Sequence, residues 1–263
     1  MIERIRTIID KEWAEVFKNR MVLFTIALLP IIFTILPLVS LYLTRPGSTS
    51  AGDMTEMPAG FSKACGLMSS QDCLQVFMVN QFLLLFMIMP LMIPITIAAY
   101  SIVGEKTTRS LEPLLATPIT TFELLAGKNL AASIPAIIAT YACFGIFLLA
   151  MPLAGASRAV QAYILGPTWL LAILAVGPLI AILAVNFAII VSSRVSDPRV
   201  AEQISAVLIV PLVGVMLGQM AGVILINTQL MLATIIVLFV LDIAFVFIGS
   251  SLFQREYILT RWK

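Results

Sequence analysis

Long runs without charge alternate with short charged segments along this chain. No charged residue interrupts 21–43, 74–103, 130–153, 163–191 or 204–226, and 230–253 contains one, Asp242. A helix rises ~1.5 Å per residue, so about 20 apolar residues cross a bilayer. The pattern predicts six spanning helices and an all-α, polytopic fold, with residues 1–263 forming one transmembrane domain. The second and fourth runs exceed the required length. Pro90 and Pro94 in one, and Gly177-Pro178 in the other, predict a tilt, a kink or a break.

Residues 1–20 follow another period. At about 100° per residue, Ile2, Ile5, Ile9, Trp13 and Val16 share a narrow arc, with Arg4, Asp10, Lys11, Glu15 and Lys18 roughly opposite. This predicts an amphipathic helix lying in the headgroup layer among membrane lipids, anchored by Trp13. Packing on a partner protein is the alternative, and the two are compatible. The start lacks the apolar core and cleavage site of a signal peptide.

Composition narrows the class. Apolar residues are 60% of the 263 and charged residues 11%, against about a quarter charged in soluble domains. This excludes a soluble enzyme, a disordered chain and a nucleic-acid binder. The net charge is only +2, so placement matters more. With six spans, 13 of the 16 Lys and Arg fall on the side that holds both termini, and Arg45, Lys63 and Arg158 on the other. That bias predicts cytoplasmic termini in a plasma membrane, the bacterial inner membrane. No histidine is present, which removes His-dependent hydrolytic triads, HExxH zinc sites and His-ligated haem. Of three cysteines, Cys65 and Cys73 fall in or beside the first outer loop, 44–73, where an oxidising exterior allows a disulfide; free thiols are the alternative. Cys143 lies within the third span and reads as packing.

The segment between spans two and three, 104–128, is the most informative. Leu111, Leu114 and Leu115 give a short helix one greasy face, and Pro118 ends it. Thr120-Thr-Phe-Glu123 then reads as a capping box opening a new helix into span three. Twenty-five residues exceed what a bare linker needs, so the segment reads as a docking element. Residues 192–203 are a second contact candidate or a basic turn, with Asp197-Pro198 opening span five.

Glu105-Lys106, then Ser110-Leu111-Glu112-x-Leu114-Leu115-x-Thr117-Pro118, Glu123-Leu124 and Gly127-Lys128 resemble the signature loop of type-2 ATP-binding-cassette (ABC) transporter permeases, the membrane halves of exporters. The resemblance extends over the whole chain. It implies a coupling helix at about Lys106–Thr117 that sits in a groove of a separate ATPase subunit. Glu105, Lys106, Arg109, Leu111, Glu112, Leu114 and Leu115 are then the coupling residues. It also implies a dimer with a second permease subunit, through spans one and five. The chain itself has no P-loop: Gly127-Lys128 is followed by Asn129, and Phe122 stands where the motif needs glycine. ATP and Mg are therefore expected on the partner, with no cofactor and no catalytic residue in this chain.

Three features within the spans remain. Asp242 lies near the midplane, where an acid is a cation or proton site, a gate, or a structural residue bonded to Asn186 or Gln219. Gly214, Gly218 and Gly222 make two overlapping GxxxG steps, read as the dimer interface or as packing within one subunit. Met54, Met57 and Met68 near Cys65 and Cys73 are too irregular to argue a metal site. The competing function is a proton- or ion-coupled secondary transporter using Asp242, although no internal repeat is visible. An intramembrane enzyme lacks its motifs.

Overall fold

The computed structural model describes residues 2–18, 20–45, 68–107 and 119–252. All regular elements among them are helical. Helix α1 spans Ile2–Val16 and α2 Arg20–Leu43. The second span is two helices, α3 (Ser70–Phe86) and α4 (Met89–Thr107). The third is α5 (Thr121–Ala150). The fourth comprises α6 (Arg158–Ile164), α7 (Pro167–Leu171), a π-helical turn (Ala172–Val176) and α8 (Gly177–Arg194). The fifth is α9 (Pro198–Ser205), a 3₁₀ turn and α10 (Ile209–Met220), and the sixth is α11 (Thr228–Leu252). Six of these segments are long and apolar enough to cross a membrane.

Spans two and four form the centre. In their most apolar stretches 78% and 56% of residues are buried, against 11% in spans five and six. α4 packs along α8, and both touch α5, while α11 lies on α8. Phe86, Phe144 and Phe147 interlock in the core, with ring centroids 6.2 and 6.3 Å apart.

Both long spans are broken, each for a local reason. Proline lacks an N–H and its ring collides with the carbonyl four residues back. α3 accordingly stops at Phe86, four residues before Pro90, and α4 restarts after a turn at 87–88. In span four Pro178 leaves the Leu174 carbonyl without its helical donor. The Tyr141 hydroxyl supplies one at 3.1 Å, and the turn ahead widens to a π bond from Gly177 N–H to Ala172 O. The two breaks face each other: a Cβ on Gly177 would stand 3.9 Å from the Pro90 ring.

Lipid gives helices no hydrophobic reason to associate, so close packing and polar contacts decide. Asn80 of α3 donates to the Tyr163 hydroxyl at 3.0 Å and accepts from the Trp169 indole at 2.9 Å, joining spans two and four. Gln75 and Gln71 reach the Thr44 carbonyl at 3.2 and 3.3 Å, fixing the end of α2.

One sequence expectation changes. Span five was expected to run to 226, but α10 ends at Met220 and Gly222 adopts φ 71° in the closing turn. A left-handed φ suits glycine and ends the helix. Gly222 therefore does not continue a helix face with Gly214 and Gly218. On α1, Ile2 is 79% exposed, and the residues turned into the bundle are Ile8, Glu12 and Val16.

Replacing Asn80 with alanine strands the Trp169 N–H and the Tyr163 hydroxyl together. The expected loss is about 1–2 kcal/mol of stability, measured by unfolding of the purified chain in mixed micelles, with insertion unchanged.

Candidate functional site: a buried ion network beneath the loop

The segment read as a docking element is rooted in the last turn of α4 and the first turns of α5. Its tip, with Arg109, Leu111, Glu112, Leu114 and Leu115, lies outside the described residues, as does Cys65. The roots carry the chemistry. Thr120 caps α5: its hydroxyl accepts from Glu123 N–H at 3.2 Å, while the Glu123 carboxylate accepts from Thr120 N–H at 2.9 Å. This is the reciprocal capping box that the Thr-x-x-Glu spacing predicts. Glu123 also meets Arg4 of α1 at 3.5 Å.

One turn further in, Lys128 is 6% exposed. Its ammonium donates to Glu12 Oε1 at 2.7 Å and Ser101 Oγ at 2.7 Å, and it pairs with Glu105 Oε2 at 2.8 Å. The ammonium thus meets three oxygens on two other helices, two by hydrogen bonds and one as an ion pair. Lys11 pairs with the second oxygen of Glu105 and approaches Glu15 at 3.3 Å and Glu12 at 3.5 Å. Two lysines and two buried glutamates make the centre formally neutral. That neutrality lets it exist away from water, where a lone charge is prohibitive.

Packing brings α1 close enough. A Cβ on Gly127 would lie 2.8 Å from Ile8 Cγ2, so glycine there lets the two helices touch. The Trp13 indole donates to Ala131 O at 2.9 Å. Across the root, Lys106 donates to the Val195 and Ser193 carbonyls at 3.2 and 3.4 Å, at the end of α8. A cation there complements exposed carbonyls and the helix dipole.

Burial raises the Glu12 carboxyl, but the Lys128 ammonium outweighs it and holds Glu12 below the usual carboxylate range. Burial likewise lowers the Lys11 ammonium, and the Glu105 carboxylate, with Glu12 and Glu15, pushes it above the usual lysine range instead. Both shifts favour the charged forms.

Of the coupling residues named from sequence, the structure places Glu105 and Lys106 inside the root, not on an exposed rim. Lys11, Glu12, Ser101 and Lys128 were not named as site residues. One signal was readable: Glu12 interrupts the stripe Ile5, Ile8, Ile9, Val16, and a charge within an apolar stripe needs a buried partner.

The other named residues lie apart. Gly214 is exposed and open where a Cβ would stand, whereas Gly218 is covered by Ile224 of its own chain, 2.5 Å from such a Cβ. Asp242 is buried in α11, and among the described residues neither carboxylate oxygen has a hydrogen-bond partner. Asn186 instead accepts from Asn129 at 3.0 Å, and the Gln219 side-chain oxygen is also unpartnered. Cys73 is disulfide-bonded and buried, and Cys143 is free.

Among the described residues, six apolar helical segments, two of them a broken central pair, with an ion network at the root of the segment between the second and third, are the architecture of a multi-pass membrane protein. The chain belongs to the ABC-2 transporter permease family: the family described as "ABC-2 family transporter protein" matches residues 6–241. The matched segment includes Lys11, Glu12, Ser101, Glu105 and Lys128, and Arg4 and Asp242 lie just outside it. Comparison with curated proteins finds no match.

Lys128→Met should destabilise the chain by about 3–5 kcal/mol, because Glu12 and Glu105 remain buried with one counter-charge fewer. A pH dependence follows as well. Stability from the lowered Glu12 pKa is present above the unfolded value of about 4.3 and is lost as pH falls through the folded value. That from Lys11 is present below about 10.4 and is lost as pH rises through its raised folded value. Thermal stability in detergent should therefore fall as pH drops below about 4.3, and Glu12→Gln, already weakened, should show a flatter acid limb.

Proposed function

We propose that this permease subunit works in an ATP-driven exporter of the plasma membrane, with both termini cytoplasmic. A separate ABC ATPase subunit binds ATP and Mg, and a second permease subunit, identical or related, completes the pathway. The observation that carries this reading is the doubly rooted loop. The helices on either side of residues 108–118 are tied through Glu105, Glu123 and Lys128 to α1. A push on the loop tip from an ATPase groove would thus move spans two and three together with α1. Arg109 and Glu112 would rim the apolar contact made by Leu111, Leu114 and Leu115. Gly214, exposed and unobstructed, supports a close approach of the second subunit at span five; Gly218, covered within its own chain, and Gly222, in a turn, no longer do. Cys65 and Cys73 are assigned as the outer disulfide.

A second reading rests on Asp242 of span six, whose oxygens lack hydrogen-bond partners among the described residues. It makes the chain a proton- or cation-coupled carrier, active without an ATPase and driven by an ion gradient.

Burying a leucine contributes roughly 1.5–3 kcal/mol, so Leu114→Asp should release the ATPase while the spans stay inserted. The measurements are ATPase co-purification and the hydrolysis rate of the reconstituted complex. Wild-type values for both would remove the coupling role of the loop. Orientation is checked separately with an impermeant maleimide: Ser48→Cys should react on whole cells and Thr107→Cys should not.

A further inference from the structure

A crevice of about 160 Å³ opens between α2, α4 and α9. Its walls are apolar: Ile26, Leu29 and Ile32 from α2, Met92 and Ile93 from α4. The single ionisable residue lining it is Glu202, one turn into α9, with Thr96 beside it. The Thr96 hydroxyl donates to Glu202 Oε1. Among the described residues no lysine or arginine pairs with this carboxylate. Thr96 lies eleven residues before the end of α4, roughly 16 Å along the helix. The carboxylate therefore reaches into the bundle from the side that carries the loop.

A carboxylate accepts about four hydrogen bonds, and one hydroxyl satisfies little of that. Apolar walls supply none of the rest, and they strengthen attraction to any cation that enters. The volume suits a trimethylammonium-sized head or a short alkyl segment, and the wall towards α2 continues into the exposed apolar residues Leu28, Ile31 and Ile32.

We propose that this crevice is a binding site for cationic amphiphiles, an ammonium head against Glu202 and an alkyl tail along α2, entering sideways from the loop-side leaflet. The proposal deepens the permease reading by naming a class of cargo. Its test needs no ATPase, so it can fail while that reading stands.

The full chain in lipid nanodiscs is labelled with a photoreactive dodecyl probe bearing a trimethylammonium head. A second probe has the same tail and a sulfonate head. Modified peptides are mapped by mass spectrometry. The cationic probe should mark the Met92–Ile93 peptide saturably, and the sulfonate probe should not. Glu202→Gln should cut that labelling about tenfold, as removal of the anion that attracts the quaternary head implies, and Glu202→Asp should restore part of it. Leu29→Trp, which fills the crevice and leaves Glu202 in place, should also block labelling. Equal labelling by both probes, or wild-type labelling of both Glu202→Gln and Leu29→Trp, overturns the proposal. So does an unlabelled crevice with Ile32→Cys crosslinking two chains, because a second copy then occupies it.

Discussion

A lysine ammonium held out of water must be matched by anions close at hand, and the loop-side end of this protein is arranged around that requirement. Lys128 sits between Glu12 and Glu105, and Lys11 returns the second positive charge. The four groups come from α1, α4 and α5, so none of these helices can shift alone without exposing a partner. α1 is therefore part of the bundle and not only a float in the headgroup layer. Its exposed Ile2 and Phe17 are still available to the membrane surface. The same constraint explains Gly127, since a side chain there would hold α1 away from the lysine.

Toward the opposite face neutral hydrogen bonds replace ions. Asn80, Tyr163 and Trp169 join spans two and four, and Gln75 closes on backbone carbonyls at the end of α2. Spans five and six lie outside this framework with most of their apolar surface uncovered. Lipid can cover that surface, and so can a second subunit. The open Gly214 is where a neighbouring helix would meet the least obstruction.

Much of the architecture was legible because bilayer thickness and proline chemistry act locally. Uninterrupted apolar runs gave the spans, Pro90 and Gly177-Pro178 marked the breaks, and Thr120 with Glu123 marked the start of α5. The ion network was not legible in the same way. Glu12, Glu105 and Lys128 are about a hundred residues apart at the extremes, and charges beside spans usually read as boundary markers. Glu12 alone carried a sign, a charge within an apolar stripe. The extent of α10 was misjudged because Gly222 looks the same in a packing motif and in a left-handed turn. Only the fold distinguishes them.

The apposed breaks at Pro90 and Gly177 have a mechanical meaning. A straight helix carries force as a strut from one membrane face to the other. Spans two and four are instead jointed at the same depth, with their joints in contact. A torque applied at the loop side can turn the lower halves as a tier while the upper halves keep their Asn80 and Gln75 bonds. The joints thus lie in the two most heavily buried spans, where a bend at the waist would leave the contacts at either rim in place.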